Sequence, residues 1–148
     1  MSYLYKDIVQ LAYQGLRAAN IPHDAAAETA LFLALAEVDG LASHGLARVA
    51  QYCGHAKHDR INIHAQVKTQ RYKTACALVD GQDGLAFPAL KHATDLSVKL
   101  ASQNGVGLVA IKNTHHFGVA GHYTEAAARA GYISLLLGNT PAAMPMAG

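Results

Sequence analysis

The sequence predicts an α/β fold in which a helical N-terminal segment, residues 1–60, precedes βαβ units within residues 61–148. Three observations carry this. Apolar residues recur at helical spacing through the first third of the chain. Beyond it, short apolar runs at Thr74–Val79, Val106–Ile111 and Tyr132–Leu137 read as buried strands, each followed by turn residues. The stretches between them have the length and period of crossover helices. Parallel strands joined by right-handed crossovers would bring their carboxyl ends to one sheet edge, where ligands of open α/β sheets bind.

Residues 3–17 place Leu4, Ile8, Leu11, Ala12 and Leu16 on one helical face. Asn20-Ile21-Pro22 punctuates, and an alanine-rich helix runs from Asp24 to Val38, with Glu28 near its start and Asp39-Gly40 at its end. Ser43 is positioned to cap a third helix, His44 to Lys57. Leu46, Val49, Ala50, Cys53 and Ala56 share one side of it, and His44, Arg48, Gln51, Tyr52 and His55 the other. That second stripe is either a solvated face or a guanidinium fork beside a titratable imidazole. Residues 59–71 are polar and mixed and give no clear element. The Thr74–Val79 strand ends in the turn cluster Asp80–Gly84, a helix starts at Phe87-Pro88 and closes at Asn104-Gly105, and another spans Val119 to Ala130.

The chain has 148 residues, 51% of them hydrophobic and 15% charged, enough for a packed core. A net charge of +2 with scattered Lys and Arg gives no basic stripe, so nucleic acid is not an expected partner. Cys53 and Cys76 form no Cys-x-x-Cys, which disfavours a disulfide framework or a cysteine zinc site. No signal peptide or membrane-spanning run is apparent, so the expectation is a cytoplasmic protein without a membrane partner.

The most informative stretch is Lys112–Gly121, where His115 and His116 sit at a strand-to-helix junction. A junction that presents imidazole to a ligand has an acid/base in hand, although a merely solvated pair is the plainer alternative. Gly118 and Gly121 allow close backbone approach at a helix start, either for an anion or for a tight turn. A complete Gly-x-Gly-x-x-Gly fingerprint is absent, which argues against a Rossmann cofactor site. His115, His116 and His122 match no usual zinc spacing, so no metal is expected. No Gly-x-Ser-x-Gly elbow points to a hydrolase.

Four motifs in order carry a resemblance: Ala42-Ser43-His44-Gly45-Leu46-x-Arg48-Val49, Val79-Asp80-Gly81-Gln82-Asp83-Gly84-Leu85-Ala86, His115-His116-Phe117-Gly118-Val119-Ala120-Gly121 and Gly138-Asn139-Thr140-Pro141-Ala142-Ala143-Met144. Together they resemble the malate/L-lactate dehydrogenase family, which includes ureidoglycolate, sulfolactate and diketogulonate dehydrogenases and cyclic-imine carboxylate reductases. The resemblance covers nearly all of this chain but only the N-terminal part of the family. It implies an unusual, non-Rossmann α/β dehydrogenase fold, here truncated. The implied reaction is reversible hydride transfer between NAD or NADP and the C2 carbon of a 2-hydroxy or 2-oxo acid.

Position by position, the resemblance makes His116 and His44 the acid/base candidates, His116 foremost, with His115 shaping the turn. It places Arg48, and Tyr52 beside it, against the substrate carboxylate, and Thr140, Phe117 and Gly118 against the cofactor. His122 stands where relatives often carry an aromatic or aliphatic residue. The expected partners are a small carboxylate substrate and a second copy of the chain in a homodimer. The alternative expectation is a catalytically incompetent fragment that acts only through a partner chain, because exposed apolar sheet surface drives association.

Overall fold

A computed structural model describes residues 3–139. Helices α1 (Tyr5–Ala18) and α2 (His23–Val38) pack on each other. Between them Asn20 adopts a left-handed φ of 62°, and Arg17 Nη1 donates to the Ile21 carbonyl at 2.6 Å, which closes the end of α1. Ala12, Leu16, Ala26, Ala30 and Leu33 are buried at this contact, and the small alanines of α2 permit close approach. Leu4 and Leu11, expected on the same buried face of α1, are each 61% exposed.

A 3-10 turn (Ala42–His44) leads into α3 (Ala47–Lys57). Strand β1 (Lys68–Lys73) pairs antiparallel with β2 (Cys76–Gly84). Helix α4 (Ala86–Asn104) then crosses over to β3 (Leu108–Thr114), which pairs parallel with β2. Helix α5 (Ala120–Arg129) follows the loop that carries the histidine pair. The sheet order is β1-β2-β3, and Gly84 lies opposite Thr114, so the carboxyl ends of β2 and β3 do share one edge.

Four expectations need correction. The third helix does not start at His44: Gly45, at ψ −138°, breaks the path between the 3-10 turn and α3. Asp80–Gly84 is not a turn closing the strand but its continuation. Its turn chemistry instead appears as a register shift between Asp80 and Gly84, with Gln82 and Asp83 at φ 54° and 57°. The unassigned residues before Thr74 hold β1, whose six residues are all exposed, so no apolar alternation marks it. Finally, Tyr132–Leu137 is not a strand. Its backbone joins no ladder among the described residues, and Ile133, Leu135 and Leu137 are 104%, 83% and 83% exposed. An apolar run is a strand only where a neighbouring backbone pairs with it.

The core is organised on α4. Phe87 joins Leu85, Tyr52 and the helices α1 and α2 in one cluster. Ala89 and Ala93 pack with Val79 under the sheet, and Ala86 and Leu90 pack with Tyr123 of α5. The first turn of α4 therefore touches both the helical segment and the α/β segment.

Gly81 of β2 faces the end of β3 at close range. A Cβ there would meet the Thr114 side chain and lie 2.8 Å from the Asn113 carbonyl. Gly81→Ala is expected to destabilise the chain by about 1–3 kcal/mol through overpacking, as read from urea unfolding; an unchanged midpoint would contradict this packing.

Candidate active site

The site is built where α3 meets the loop after β3. Sequence periodicity grouped Tyr52 with a polar stripe, but its side chain is 2% exposed and lies edge-on to Phe87, ring centroids 5.9 Å apart. Its hydroxyl reaches His116 Nδ1 at 2.8 Å, joining residues 64 apart in sequence. The Gly118 backbone N–H also donates to that nitrogen, at 3.4 Å. The imidazole of His44 lies beside His116, ring centroids 5.2 Å apart. His115 instead faces His55, at 6.5 Å.

Two further ties fix this loop. Tyr123 of α5 donates its hydroxyl to the Phe117 carbonyl at 2.9 Å, and Phe32 stacks on Tyr123 at 4.8 Å. Burial raises the Tyr123 phenol, so it stays a neutral donor. At the end of β3, Asn113 takes a left-handed φ of 52° and donates through Nδ2 to Asp80 Oδ1 at 3.0 Å. The Gln82 backbone N–H donates to the same oxygen at 2.9 Å, and Lys112 Nζ lies 3.4 Å from Asp80 Oδ2. These partners, Gln82 foremost, hold the Asp80 carboxyl well below the usual range.

Arg48 sits one helical turn before Tyr52 and is held in place. Its Nε donates to the Ser43 carbonyl at 2.6 Å and its Nη1 to Gln51 Oε1 at 2.7 Å. A guanidinium has five donors, so these bonds leave others for a carboxylate. Ser43 does not cap α3; its hydroxyl contacts His44 Nδ1 at 3.0 Å. The residue that does receive the helix start went unnoticed in the sequence. Glu37 Oε1 of α2 accepts the Leu46 N–H at 2.6 Å, and a side chain on the buried Gly45 would collide with the Glu37 carboxylate. Ser-His-Gly is thereby clamped onto α2. No local spacing signals this, because the cap comes from another helix.

The electrostatics follow from burial and neighbouring charge. Burial foremost, then the Arg48 guanidinium and His44, lowers His116 from 6.5 to about 4, so its imidazole is neutral at pH 7. Burial pushes the Tyr52 phenol up to about 12, with Arg48 opposing only in part. An imidazole pair beside an immobilised guanidinium can hold an anionic group and exchange a proton next to it.

The remaining candidates lie elsewhere. Phe117 packs with Tyr123, Gly118 takes part only through its N–H, and Thr140 lies outside the described residues. His122 pairs with Asp39, Nε2 to Oδ2 2.7 Å, against Phe32, and so ties α5 to the end of α2.

Known proteins share this sequence and fold. The model of the malate/L-lactate dehydrogenase family matches residues 4–148. A (2R)-3-sulfolactate dehydrogenase (NADP(+)) from Chromohalobacter salexigens is 40% identical over 90% of the chain, which covers 40% of that relative. An L-sulfolactate dehydrogenase from Methanocaldococcus jannaschii is 37% identical over 90% of the chain and 39% of its own length. The malate dehydrogenase structure from Pyrococcus horikoshii superposes with a TM-score of 0.83 at 27% identity, covering 88% of this chain and 38% of that one. The sulfolactate dehydrogenase structure from M. jannaschii gives 0.79 at 34% identity, over 85% and 37%. The chain thus spans about two-fifths of the length of these relatives. With its motifs, its fold and the whole described region matched together, it belongs to the malate/L-lactate dehydrogenase family.

Proposed function

We propose that this chain provides the substrate-binding and proton-transfer part of an NAD(P)-dependent oxidoreductase that interconverts a 2-hydroxy acid and a 2-oxo acid of the malate, lactate or sulfolactate type. The observation that carries the reading is the meeting of His116, His44 and Arg48, residues from two distant segments, in one half-buried place. In this reading residues 1–60 bring the carboxylate anchor and residues 61–148 an incomplete α/β domain.

Arg48 holds the substrate carboxylate, which orients C2 and its oxygen relative to the imidazoles. In the reductive direction negative charge develops on that oxygen, and His116 donates to it, with His44 as partner or alternative donor. The Arg48 contribution to the lowered His116 value is repulsion of the imidazolium. A carboxylate bound at Arg48 offsets that repulsion and favours the protonated form, so a larger fraction of His116 carries the proton when the substrate arrives.

A crevice of about 270 Å³ between α2, α4 and α5 is lined by Leu31, Phe32, Leu35 and Tyr123 among others, and by none of His44, Arg48 or His116. The smaller cavity beside Ile63 and Leu85 does not reach them either. In this reading Arg48 takes the carboxylate and His116 and His44 the proton, while Thr140, Phe117 and Gly118 remain the cofactor candidates.

A second reading is favoured by the exposure of Ile133, Leu135 and Leu137. There the chain does no chemistry alone and acts through association with a partner chain. Titrating oxalate into the 148-residue chain by calorimetry separates the two: saturable binding that is lost in Arg48→Ala supports the first reading, and no binding supports the second.

Where an assembly of this chain reduces a 2-oxo acid, His116→Ala is expected to lower turnover by roughly 10²–10⁴-fold while sparing cofactor affinity. Near-normal turnover would sink the assignment. Proton uptake offers an independent check. Saturating oxalate should move the NMR titration midpoint of His116 upward from about 4 toward the ordinary 6.5. A midpoint that stays put or falls would remove Arg48 as the carboxylate anchor beside His116.

A further inference from the structure

We infer that Tyr52 is a positioning residue: its buried hydroxyl donates to His116 Nδ1, keeps the ring proton on Nε2, and so makes Nε2 the nitrogen presented to the substrate oxygen. This rests on the proposed dehydrogenase function for its purpose, but the geometry behind it is independent of any reaction.

A neutral imidazole carries one ring proton, and its hydrogen bonds select which nitrogen holds it. Here two groups converge on Nδ1. The Gly118 backbone N–H can only donate, so its approach at 3.4 Å requires a lone pair on Nδ1. The Tyr52 hydroxyl, at 2.8 Å, then acts as the second donor and the shorter of the two. Both hydrogen bonds of the His116 ring run through Nδ1, and among the described residues Nε2 has no hydrogen-bond partner. The proton on Nε2 is thus directed toward whatever ligand occupies the site.

Tyr52 is suited to hold this arrangement because little else is open to it. At 2% exposure, with its ring seated edge-on against Phe87, the side chain has almost no surface to offer a substrate directly. A hydroxyl also accepts. When His116 takes a second proton, Nδ1–H can donate back to the same oxygen, which the Gly118 N–H cannot do. One residue therefore supports both protonation states, whereas the backbone amide supports one.

The charged and titratable groups facing His116 are Arg48 and Tyr52 from α3 and His44 from the 3-10 turn. Arg48 and His44 act on it through charge, and among the described residues Tyr52 and Gly118 are the groups that hydrogen-bond its ring.

The test is ¹⁵N NMR of the chain labelled at histidine, with the His116 resonances assigned by their loss in His116→Gln. The wild type is expected to show Nδ1 as the unprotonated nitrogen at pH 7. In Tyr52→Phe, which keeps the ring and removes the hydroxyl, the preference for the Nε2–H form should fall by roughly 3–10-fold, the worth of one neutral hydrogen bond. An unchanged tautomer ratio in a folded Tyr52→Phe chain would overturn the proposal. If that variant does not fold, the wild-type spectrum decides: a hydrogen-bonded, unprotonated Nδ1 supports it and a protonated Nδ1 overturns it. Neither spectrum depends on turnover. A wrong reaction class would leave the tautomer result standing, and a wrong tautomer would leave oxalate binding at Arg48 untouched.

Discussion

The contact between the Tyr52 hydroxyl and His116 is the constraint on which the site depends. It spans two parts of the chain that are built differently, a short helix of the N-terminal segment and a loop leaving a parallel strand. Nothing local brings them together. Their meeting is set by Phe87 in the first turn of α4, which Tyr52 touches edge-on and Phe32 approaches at 5.7 Å. From Phe32 the aromatic contacts continue to Tyr123, whose hydroxyl holds the Phe117 carbonyl. The loop bearing His116 is therefore fixed from two sides by phenols seated in one aromatic group. Buried aromatic pairs add about 0.5–1.5 kcal/mol each beyond area burial, and here they also determine where a reactive nitrogen points.

How much of this could be read from the sequence depends on whether the cause was local. The amphipathic pattern gave α1 and α4, and the β2-α4-β3 crossover follows from two apolar runs around a helical stretch. The motif resemblance gave His44, Arg48 and His116. What stayed hidden is non-local. β1 is an exposed edge strand held by its ladder to β2, so Lys68–Lys73 carries no hydrophobic signature. Glu37 caps a helix other than its own. Tyr52 sits at a position that helical spacing assigns to the polar side, and its burial comes from tertiary packing in a cluster shared with α1, α2 and Phe87. The Tyr132–Leu137 run erred in the other direction, since its composition suits a strand but no partner backbone is at hand among the described residues.

The electrostatic character of the site arises from the same packing. His116 is half-buried beside a permanent positive charge, which together keep it neutral. A histidine exposed to water would share its proton equilibrium with solvent at every moment. Here the equilibrium is governed by a small number of neighbours, and the strongest of the charged ones is also the group best placed to bind an anion. In the proposed function, a carboxylate bound at Arg48 would therefore raise the proton affinity of His116.

Arg48 is already immobilised before any ligand arrives, by its bonds to the Ser43 carbonyl and to Gln51. A free arginine side chain carries roughly 2 kcal/mol of rotamer entropy, much of which an ordinary surface anchor surrenders at the moment of binding. In this chain a large part of that ordering belongs to folding instead. In the proposed function, an incoming carboxylate would meet a fork of fixed direction, so discrimination among acids would rest on the shape and length of what lies beyond the carboxylate. In that function the anchor is thus set by the fold and the choice of substrate is left to the groups around it.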